Sequence, residues 1–514
     1  MLFNSFVFLF VFLPLALLAY YGAALSSYRR AAASVGICSL LFYAWWDYRF
    51  VFLLLASILV NYVVGRRIGL AAAAGDRRRA RTLLVSGLAI DLAVLSFFKY
   101  AGLFNRSLQA LAGTALPLPD IVLPLGISFY TFTQIAFLVD AYHGKVDEYD
   151  FTYYLAFVTY FPHQIAGPIL HHREMIHQFR RPAAGAGAFA VGLTIFALGL
   201  FKKMVLADGV ADFATPVFAA ADAGNRMMFF EAWLGTIAYA FQIYFDFSGY
   251  SDMAIGLSLL FGIRLPLNFN SPYRAVSITE FWRRWHMTLS RFLRDYLYIS
   301  LGGNRRGAVR RYANLLATMV LGGLWHGANW TFAAWGLLHG VYLVINHAWR
   351  AARPRFRALD HVPLPLGRAA GWLVTMIAVL VAWVFFRAAT FAGAGLMLRG
   401  MFGLNGLNVP PALARVLPST GLVPVVADAA WTGAFGPRLG VVLLVCLLLV
   451  CVCLPNTQEW LRCYSPALDM KAPVPSDRRF AWHPTVYWAI ACGLLLAVAL
   501  NRIGGYSEFL YFNF

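Results

Sequence analysis

Stretches of about 20 predominantly apolar residues, long enough to cross roughly 30 Å of hydrocarbon as helices, recur along nearly the whole sequence. The clear stretches begin near Phe3, Leu83, Val191, Phe229, Leu316, Trp372, Val441 and Val486, and shorter ones lie near Val35, Phe50, Pro124, Phe151, Ser251 and Asn329. This pattern predicts an all-α, polytopic membrane bundle with roughly 11 to 13 transmembrane or re-entrant helices.

The composition agrees with a membrane protein. Hydrophobic residues make up 61% of the chain and charged residues 13%, whereas a soluble domain carries about 25% charged residues. The net charge of +19 arises from 42 lysines and arginines, which lie mostly in short loops between apolar stretches, as in cytoplasmic loops of membrane proteins. We therefore expect membrane lipid and no nucleic acid as a partner. The first apolar stretch, residues 2–24, is expected to remain as an anchor.

The chain is interpreted as a single membrane domain, residues 1–514, because no internal repeat or low-complexity linker divides it. The informative motifs fall within about residues 120–345. Two less hydrophobic stretches, about 350–368 and about 399–438, are rich in arginine, proline or glycine. Such stretches predict extramembrane loops or short surface helices.

An amphipathic segment follows Ser277. Apolar residues recur there at helical spacing, namely Phe281, Trp282, Trp285, Leu289, Phe292, Leu293 and Tyr296, while Arg283, Arg284, Arg291 and Arg294 gather on the opposite side. Ser277 and Glu280 form a capping-box pattern, and Gly302 gives a natural end. The segment predicts one helix in the headgroup plane with His286 turned towards the protein. A surface helix without chemistry is the alternative.

A histidine lies inside an apolar stretch. His326 falls within residues 315–338, and an ionisable residue inside a membrane segment is a candidate functional residue. On one helix, Asn329 and Gly322 would lie beside its ring. A buried neutral imidazole can accept a proton from an attacking hydroxyl. The alternative is a structural hydrogen bond to a neighbouring helix.

Four stretches together carry a family resemblance. They read PLGISFYTFTQIAFLVDAYHG (residues 124–144), FPHQIAGPI (161–169), NFNSPYRAVSITEFWRRWHMTLSRFLRDYLYISLGGN (268–304) and GGLWHGANW (322–330). The chain resembles the membrane-bound O-acyltransferase (MBOAT) family over essentially its whole length. Within that family it is similar to the bacterial alginate O-acetylation type, and its length near 500 residues favours that type over the teichoic-acid type.

The resemblance implies an O-acyltransferase in which His326 is the catalytic histidine of the family and His286 is the second histidine of this branch. It implies a funnel-shaped bundle in the bacterial inner membrane. A cytoplasmic thioester, acetyl-CoA or an acylated carrier, would meet an exported polysaccharide there, alginate before other polymers. Periplasmic acetyl-transfer proteins are expected partners. The candidates for substrate binding are Asn329, Trp325, Trp282, Arg283, Arg284 and Arg291. Neither a tightly bound cofactor nor a metal is expected.

Alternatives remain open at this point. Cellulose, peptidoglycan or teichoic acid could replace alginate as the acceptor. The carboxylates Asp91, Asp208 and Asp246 in apolar stretches could serve a secondary transporter, or the chain could be a non-catalytic scaffold. A histidine cluster could suggest a metal, but the spacing does not match a compact tetrahedral site. Its members are His163, His171, His172 and His177.

Overall fold

The computed structural model describes residues 1–114, 116–117, 119, 121–147, 149–182, 185–356, 362–409, 425–427, 437–468, 470, 482–504 and 510. Its α-helices, numbered in chain order, are α1 (Leu13–Ala24), α2 (Tyr28–Ala44), α3 (Arg49–Ala73), α4 (Arg77–Leu95), α5 (Ala101–Ala112), α6 (Ile127–Tyr142), α7 (Phe151–Thr159), α8 (Phe161–Gln164), α9 (His172–Arg180), α10 (Ala186–Phe201), α11 (Asp208–Asp222), α12 (Phe229–Leu260), α13 (Ile278–Trp282), α14 (Met287–Phe292), α15 (Gly307–His326), α16 (Trp330–Ala352), α17 (Leu364–Arg387), α18 (Phe391–Met401), α19 (Pro437–Cys453), α20 (Thr457–Trp460) and α21 (Val486–Leu500).

The helical membrane architecture is confirmed. Among the described residues, four helical stretches are long and apolar enough to cross a membrane: Arg49–Ala73, Arg77–Ala112, Ala186–Asp222 and Leu364–Arg387. Shorter apolar helices cover Phe8–Ala24, Gly440–Cys453 and Val486–Leu500. The total of 11 to 13 passes remains a prediction. One small element lies outside the all-α scheme, because β1 (Leu407–Val409) pairs in parallel with β2 (Val425–Ala427).

Helix α12 forms the centre of the bundle, and nearly all of its residues from Ala232 to Leu260 are buried. It packs closely against α10 through glycines. A Cβ added to Gly192 would lie 2.7 Å from the Gly256 carbonyl oxygen, and one added to Gly199 would lie 2.6 Å from that of Gly249. Small residues let two membrane helices approach until their backbones touch. The glycines therefore fix the crossing of the two helices.

The two stretches predicted as extramembrane loops or short surface helices include the ends of longer helices. Within 350–368, α16 continues to Ala352, a 3₁₀ turn covers Arg353–Arg355, and α17 begins at Leu364; residues 357–361 lie outside the described residues. The stretch 399–438 includes the end of α18, both short strands and the start of α19. Its residues 410–424 and 428–436 are likewise outside the described residues.

The amphipathic segment is not one helix, which corrects the prediction. Ser277 caps α13 by accepting a hydrogen bond from the Glu280 amide at 3.2 Å, as expected. The helix then stops, and His286 adopts a left-handed backbone with φ of 41° before α14 starts. The break is held by backbone hydrogen bonds to the preceding extended segment, from Asn270 to the Arg284 carbonyl and from Met287 to the Asn268 carbonyl. The periodicity of apolar side chains gives no information about such hydrogen bonds to a separate segment.

Helices α15 and α16 form a tight hairpin that carries the GGLWHGANW motif. A Cβ on Gly323 would run into the Phe332 carbonyl oxygen, and one on Gly336 would run into the Met319 carbonyl oxygen. Both clashes are with backbone atoms, which cannot swing aside as a flexible side chain does. The glycines thus set the distance between the helix that ends at His326 and its partner.

We expect Gly336→Ala to lower the stability of the purified protein by about 1–3 kcal/mol, because the added methyl group overpacks the hairpin. The measurement is the thermal unfolding midpoint in detergent. Gly395→Ala is the matched control, since a Cβ there meets nothing within 4 Å and alanine favours a helix over glycine. Equal midpoints for the two variants would contradict close packing of α15 on α16.

Candidate active site

His326 is the last residue of α15. The helix ends there because Gly327 is extended, with φ of −160° and ψ of 149°. The imidazole is 3% exposed and its ring lies among aromatic rings, with centroid distances of 5.0 Å to Trp325, 5.2 Å to Trp335 and 5.2 Å to Phe386. These flat neighbours restrict the ring to a narrow range of orientations. The predicted intramembrane histidine is therefore held in the protein interior and not against lipid.

His286 is fully buried and is oriented by Asn268. Its Nδ1 lies 2.9 Å from Asn268 Oδ1, which also accepts from the Thr288 hydroxyl at 3.0 Å. The Asn268 amide nitrogen faces the Ser251 hydroxyl, so the amide oxygen is the group that meets the imidazole. Nδ1 consequently carries the hydrogen, and Nε2 carries the lone pair. Among the described residues, that Nε2 has no hydrogen-bond partner.

The two imidazoles lie close together, with ring centroids 6.1 Å apart and inclined at 57°. The strained backbone of His286 contributes to the arrangement, because positive φ is uncommon for a residue with a side chain and collects at functional sites. The two histidines singled out in the sequence are thus neighbours in the protein interior, and their catalytic roles stay predictions.

A cavity of about 70 Å³ adjoins His326. Its other walls are Trp325, Lys99, Trp46, Ile165 and the residues 123–129 that lead into α6. A water molecule needs about 10–15 Å³ of such space, so the cavity holds several groups of that size. His286 is not among the residues that line it. The histidine pair therefore has one member at the cavity wall and one member outside it.

The cavity and the basic surface lie at opposite ends of the same helices. Helix α6 starts at Ile127 beside the cavity and runs for about 22 Å, at 1.5 Å per residue, to Tyr142. The Tyr142 ring faces Arg77, at 5.9 Å from ring centroid to guanidinium carbon. Helix α15 likewise begins after the exposed basic loop 304–306 and ends at His326. Positive charge and cavity are therefore separated by most of a membrane thickness.

Three of the four arginines of the amphipathic segment are engaged in ion pairs. Arg284 contacts Glu280 at 2.9 Å, Arg291 contacts Glu174 at 2.6 Å, and Arg294 contacts Asp295 at 2.7 Å. Arg283 is exposed and has no ion pair among the described residues. For Arg284 and Arg291, binding an anionic substrate would thus require competition with a carboxylate, whereas Arg283 is available.

Asn329 does not follow His326 on the same helix, so the helical reasoning for that pair is wrong. The chain bends at Gly327, and Asn329 is the N-cap of α16. Its amide accepts from the Thr331 backbone at 3.3 Å and donates to the Ala389 carbonyl at 2.7 Å. Its observed role is to begin a helix. Trp325, by contrast, lines the cavity as expected.

Three residues of this region were missed by sequence reasoning: Lys99, Asn268 and His339. Lys99 lines the cavity, and it could have been found as the lone charge in the apolar run SFFKY. His339 is fully buried on α16 and accepts from the Trp282 indole at 3.3 Å. Trp282 therefore contacts a buried histidine other than His286 and His326. The role of Asn268 depends on the break in the helix at His286, and no feature of the sequence predicted that break.

Most of the other polar candidates have local partners; His172 is the exception, since neither of its ring nitrogens has a hydrogen-bond partner among the described residues. His171 meets the Tyr296 hydroxyl at 2.8 Å, and His163 meets the Phe157 carbonyl at 3.0 Å. Asp208 and Asp246 each lie 2.7 Å from the buried Lys203 ammonium. Asp91 accepts from the Asn61 amide at 2.8 Å. These contacts tie helices to one another, and they account for the polar groups without a transport pathway.

Comparison with known proteins identifies the family of the chain. The sequence model of the membrane-bound O-acyltransferase family matches residues 6–391. The chain is 46% identical over 411 residues to a protein of Azotobacter vinelandii named "Probable alginate O-acetylase AlgI", covering 79% of each chain. It is 41% identical over 441 residues to the peptidoglycan O-acetyltransferase of Helicobacter pylori, covering 80% of this chain and 81% of that one. A teichoic acid D-alanyltransferase of Streptococcus thermophilus is 30% identical over 281 residues, or 51% of this chain and 68% of the relative.

The protein belongs to the membrane-bound O-acyltransferase family, and it is a membrane-embedded O-acyltransferase. The family resemblance drawn from the sequence motifs is thereby confirmed. The roles of the individual residues stay predictions.

We expect His286→Asn to keep the fold and to lower acyl transfer by about 10²–10⁴-fold, the contribution of a general acid or base. Asparagine is among the few residues that tolerate a left-handed backbone, so the break before α14 is preserved while the imidazole is lost. The measurements are initial rates and the thermal midpoint of the purified variant. If the variant keeps the wild-type rate and the wild-type thermal midpoint, His286 has no role in catalysis.

Proposed function

We propose that the protein moves an acetyl group from a cytoplasmic thioester to the outer side of the bacterial inner membrane, for O-acetylation of an exported polysaccharide, with alginate as the favoured polymer. The observation that carries the proposal is the pair of buried imidazoles, 6.1 Å apart, one of which lines a small cavity. Alginate is favoured because the relative of A. vinelandii at 46% identity is named for it.

In the proposed reaction, a hydroxyl oxygen attacks the carbonyl carbon of the thioester. His326 accepts the hydroxyl proton as the new C–O bond forms and the carbonyl π electrons move to oxygen. The carbonyl then reforms, the C–S bond breaks, and the leaving sulfur takes up the proton from the imidazole. His286 is held by Asn268 with its Nε2 as an acceptor, which suits it to bind a hydroxyl or to receive a proton outside the cavity that His326 lines.

The separation of charge and cavity supports a reaction that faces both compartments. Clusters of arginine mark the cytoplasmic side of membrane proteins, which assigns Arg77 and the loop 304–306 to the cytoplasm. The cavity at the opposite end of α6 is then nearer the periplasm, where periplasmic acetyl-transfer proteins would hand the group on to the polymer. Exposed Arg283, Arg305 and Arg306 would attract an anionic donor, either acetyl-CoA or an acylated carrier protein.

Peptidoglycan is the second candidate acceptor, since the H. pylori relative at 41% identity is named for it over a similar share of the chain. The two polymers are separated by isolating each from cells with and without the protein and measuring ester-bound acetate. Acetate that disappears from the exported polysaccharide supports the first candidate, and acetate that disappears from the cell-wall glycan supports the second.

We expect His326→Ala to reduce acetyl transfer by at least about 10²-fold, since a positioned proton acceptor contributes about 10²–10⁴-fold. Ester-bound acetate on the polymer is the readout, with membrane abundance verified by quantitative blotting. His143→Ala, which alters an exposed histidine outside the cavity, is the control and should behave as wild type. Retained acetylation in His326→Ala at normal abundance would favour a scaffold over an enzyme.

The size of the cavity predicts selectivity for a short acyl group. About 70 Å³ is several times the roughly 10–15 Å³ that one water molecule needs, and it accommodates the three heavy atoms of an acetyl group more readily than the longer chain of an octanoyl group. We therefore expect transfer rates to fall steeply from acetyl through butyryl to octanoyl thioesters, measured as thiol release by the purified protein in the presence of a soluble hydroxyl acceptor. Octanoyl transfer at the acetyl rate would contradict the idea that the size of the cavity limits the length of the acyl chain.

A further inference from the structure

Lys99 is a buried cation beside the catalytic histidine. It lies in the π-helical turn Ser96–Tyr100 that joins α4 to α5, inside the apolar stretch Arg77–Ala112. The residue is 7% exposed and lines the same cavity as His326. A buried charge in a membrane segment is costly and marks functional pathways, and π-helical turns occur frequently at functional sites.

The partners of the ammonium group are neutral. Its Nζ donates to the Ser128 hydroxyl at 3.1 Å and to the Trp325 carbonyl oxygen, and it lies 5.8 Å from the centroid of the Trp325 ring. Among the described residues, no carboxylate forms an ion pair with it. The half-buried Lys202 and the buried Lys203 differ in this respect, since Lys202 pairs with Asp252 and Lys203 pairs with Asp246, each at 2.7 Å.

An ammonium group has three N–H donors, and two of them are used by Ser128 and Trp325. The third donor and the uncompensated charge adjoin a cavity in which an acyl group would be held against His326. A thioester carbonyl acquires negative charge on its oxygen when a hydroxyl attacks it. The protein thus offers an N–H donor of Lys99 at the place where the reaction would create a negative charge.

We propose that Lys99 is a catalytic residue that binds the acyl carbonyl oxygen and stabilises the oxyanion of the tetrahedral intermediate; this inference rests on the proposed acyl-transfer function. As the hydroxyl oxygen bonds to the carbonyl carbon, its proton passes to His326 and the carbonyl π electrons move to the oxygen, which accepts a hydrogen bond from the Lys99 ammonium. When the carbonyl reforms, the sulfur leaves with the bonding pair and takes the proton, and Lys99 returns to its starting state with no net gain or loss of a proton.

Lys99 also has a structural role that must be separated from this one. The last carbonyls of a helix have no partners within the helix, and Lys99 and Tyr100 satisfy two of them at the end of α15. Lys99 binds the Trp325 carbonyl, and the Tyr100 hydroxyl donates to the Leu324 carbonyl at 2.9 Å. Tyr100→Phe therefore removes a neighbouring cap of the same helix end without removing charge, and it is a matched control.

The experiment compares Lys99→Met, Lys99→Arg, Tyr100→Phe and His326→Ala as full-length purified proteins with an acetyl thioester and a soluble hydroxyl acceptor. Removing one oxyanion donor costs about 10²–10³ in kcat. We expect that loss for Lys99→Met with the KM for the thioester changed by less than about threefold, because the contact with the carbonyl oxygen is much stronger once the oxygen carries negative charge in the transition state. Lys99→Arg should keep more activity than Lys99→Met, and Tyr100→Phe should lose only a few-fold.

Several outcomes would overturn the proposal. If His326→Ala is inactive while Lys99→Met turns over within about threefold of wild type, Lys99 is not an oxyanion donor and the proposed function stands. If Tyr100→Phe loses as much kcat as Lys99→Met, capping explains both. If His326→Ala is fully active, the proposed function itself fails.

A second variant guards against misfolding. Lys99→Gln keeps an N–H donor for the Trp325 carbonyl without the charge, and it replaces Lys99→Met if that protein does not accumulate. A rescue assay separates the catalytic role from the capping role. In it, Lys99→Ala is assayed with added methylammonium, which can replace the missing ammonium group, and Tyr100→Phe is the control that loses only a helix cap. We expect methylammonium to raise the rate of Lys99→Ala at least about tenfold, and to leave Tyr100→Phe and His326→Ala unchanged. Failure of Lys99→Gln to lose activity would contradict a role for the charge.

Discussion

The end of α15 at His326 is the constraint on which the rest of the site depends. The helix packs against α16 through glycines at which an added Cβ would clash with backbone carbonyl oxygens. It ends at His326 because Gly327 is extended. A helix end leaves carbonyl groups without partners, and here Lys99 and Tyr100 reach across from another segment to bind two of them. The hydrogen bonds that cap the end of α15 therefore bring Lys99 next to His326 and to the cavity that both residues line.

Buried polar groups are distributed unevenly through this membrane domain. Away from the site, Lys203 lies between Asp208 and Asp246, and Lys202 pairs with Asp252. These pairs satisfy charge locally, as a low-dielectric interior requires. At the site, the Lys99 ammonium contacts only neutral groups among the described residues, and the Nε2 atom of His286 has no hydrogen-bond partner there. Lys99 therefore differs from the paired lysines in having no carboxylate beside it.

The sequence predicted the parts of this protein that follow from local periodicity. Apolar stretches predicted membrane helices, the Ser277 cap was correct, and the motifs led to the family and to both histidines. The errors arise where distant segments interact. The break at His286 is stabilised by pairing with residues 268–270, which a helical pattern over residues 277–299 does not reveal. Asn329 was placed on the helix of His326 because apolar residues continue past it, yet the chain bends at Gly327.

Lys99 and Asn268 were missed for a related reason. Each acquires its role from a partner more than fifteen positions away in sequence, Trp325 for Lys99 and His286 for Asn268. A lysine in an apolar run carries a signal of its own, whereas an asparagine in a polar segment does not. A sequence can therefore reveal an ionisable residue within an apolar stretch, where burying its charge is costly. It does not reveal a polar residue whose role is to orient another side chain.

The relatives of this chain cover about 80% of its length at 40–46% identity and yet are named for different polymers, alginate and peptidoglycan. The dimensions of the site offer a physical reason why one buried arrangement suits different acceptors. In the proposed reaction, a cavity of about 70 Å³ would hold the acyl group, and the remainder of a polysaccharide or carrier would stay outside. The proposed chemistry of His326, His286 and Lys99 would then require of the acceptor only a hydroxyl group. Selection of the polymer would fall to the surface near exposed Trp46 or to proteins that dock there.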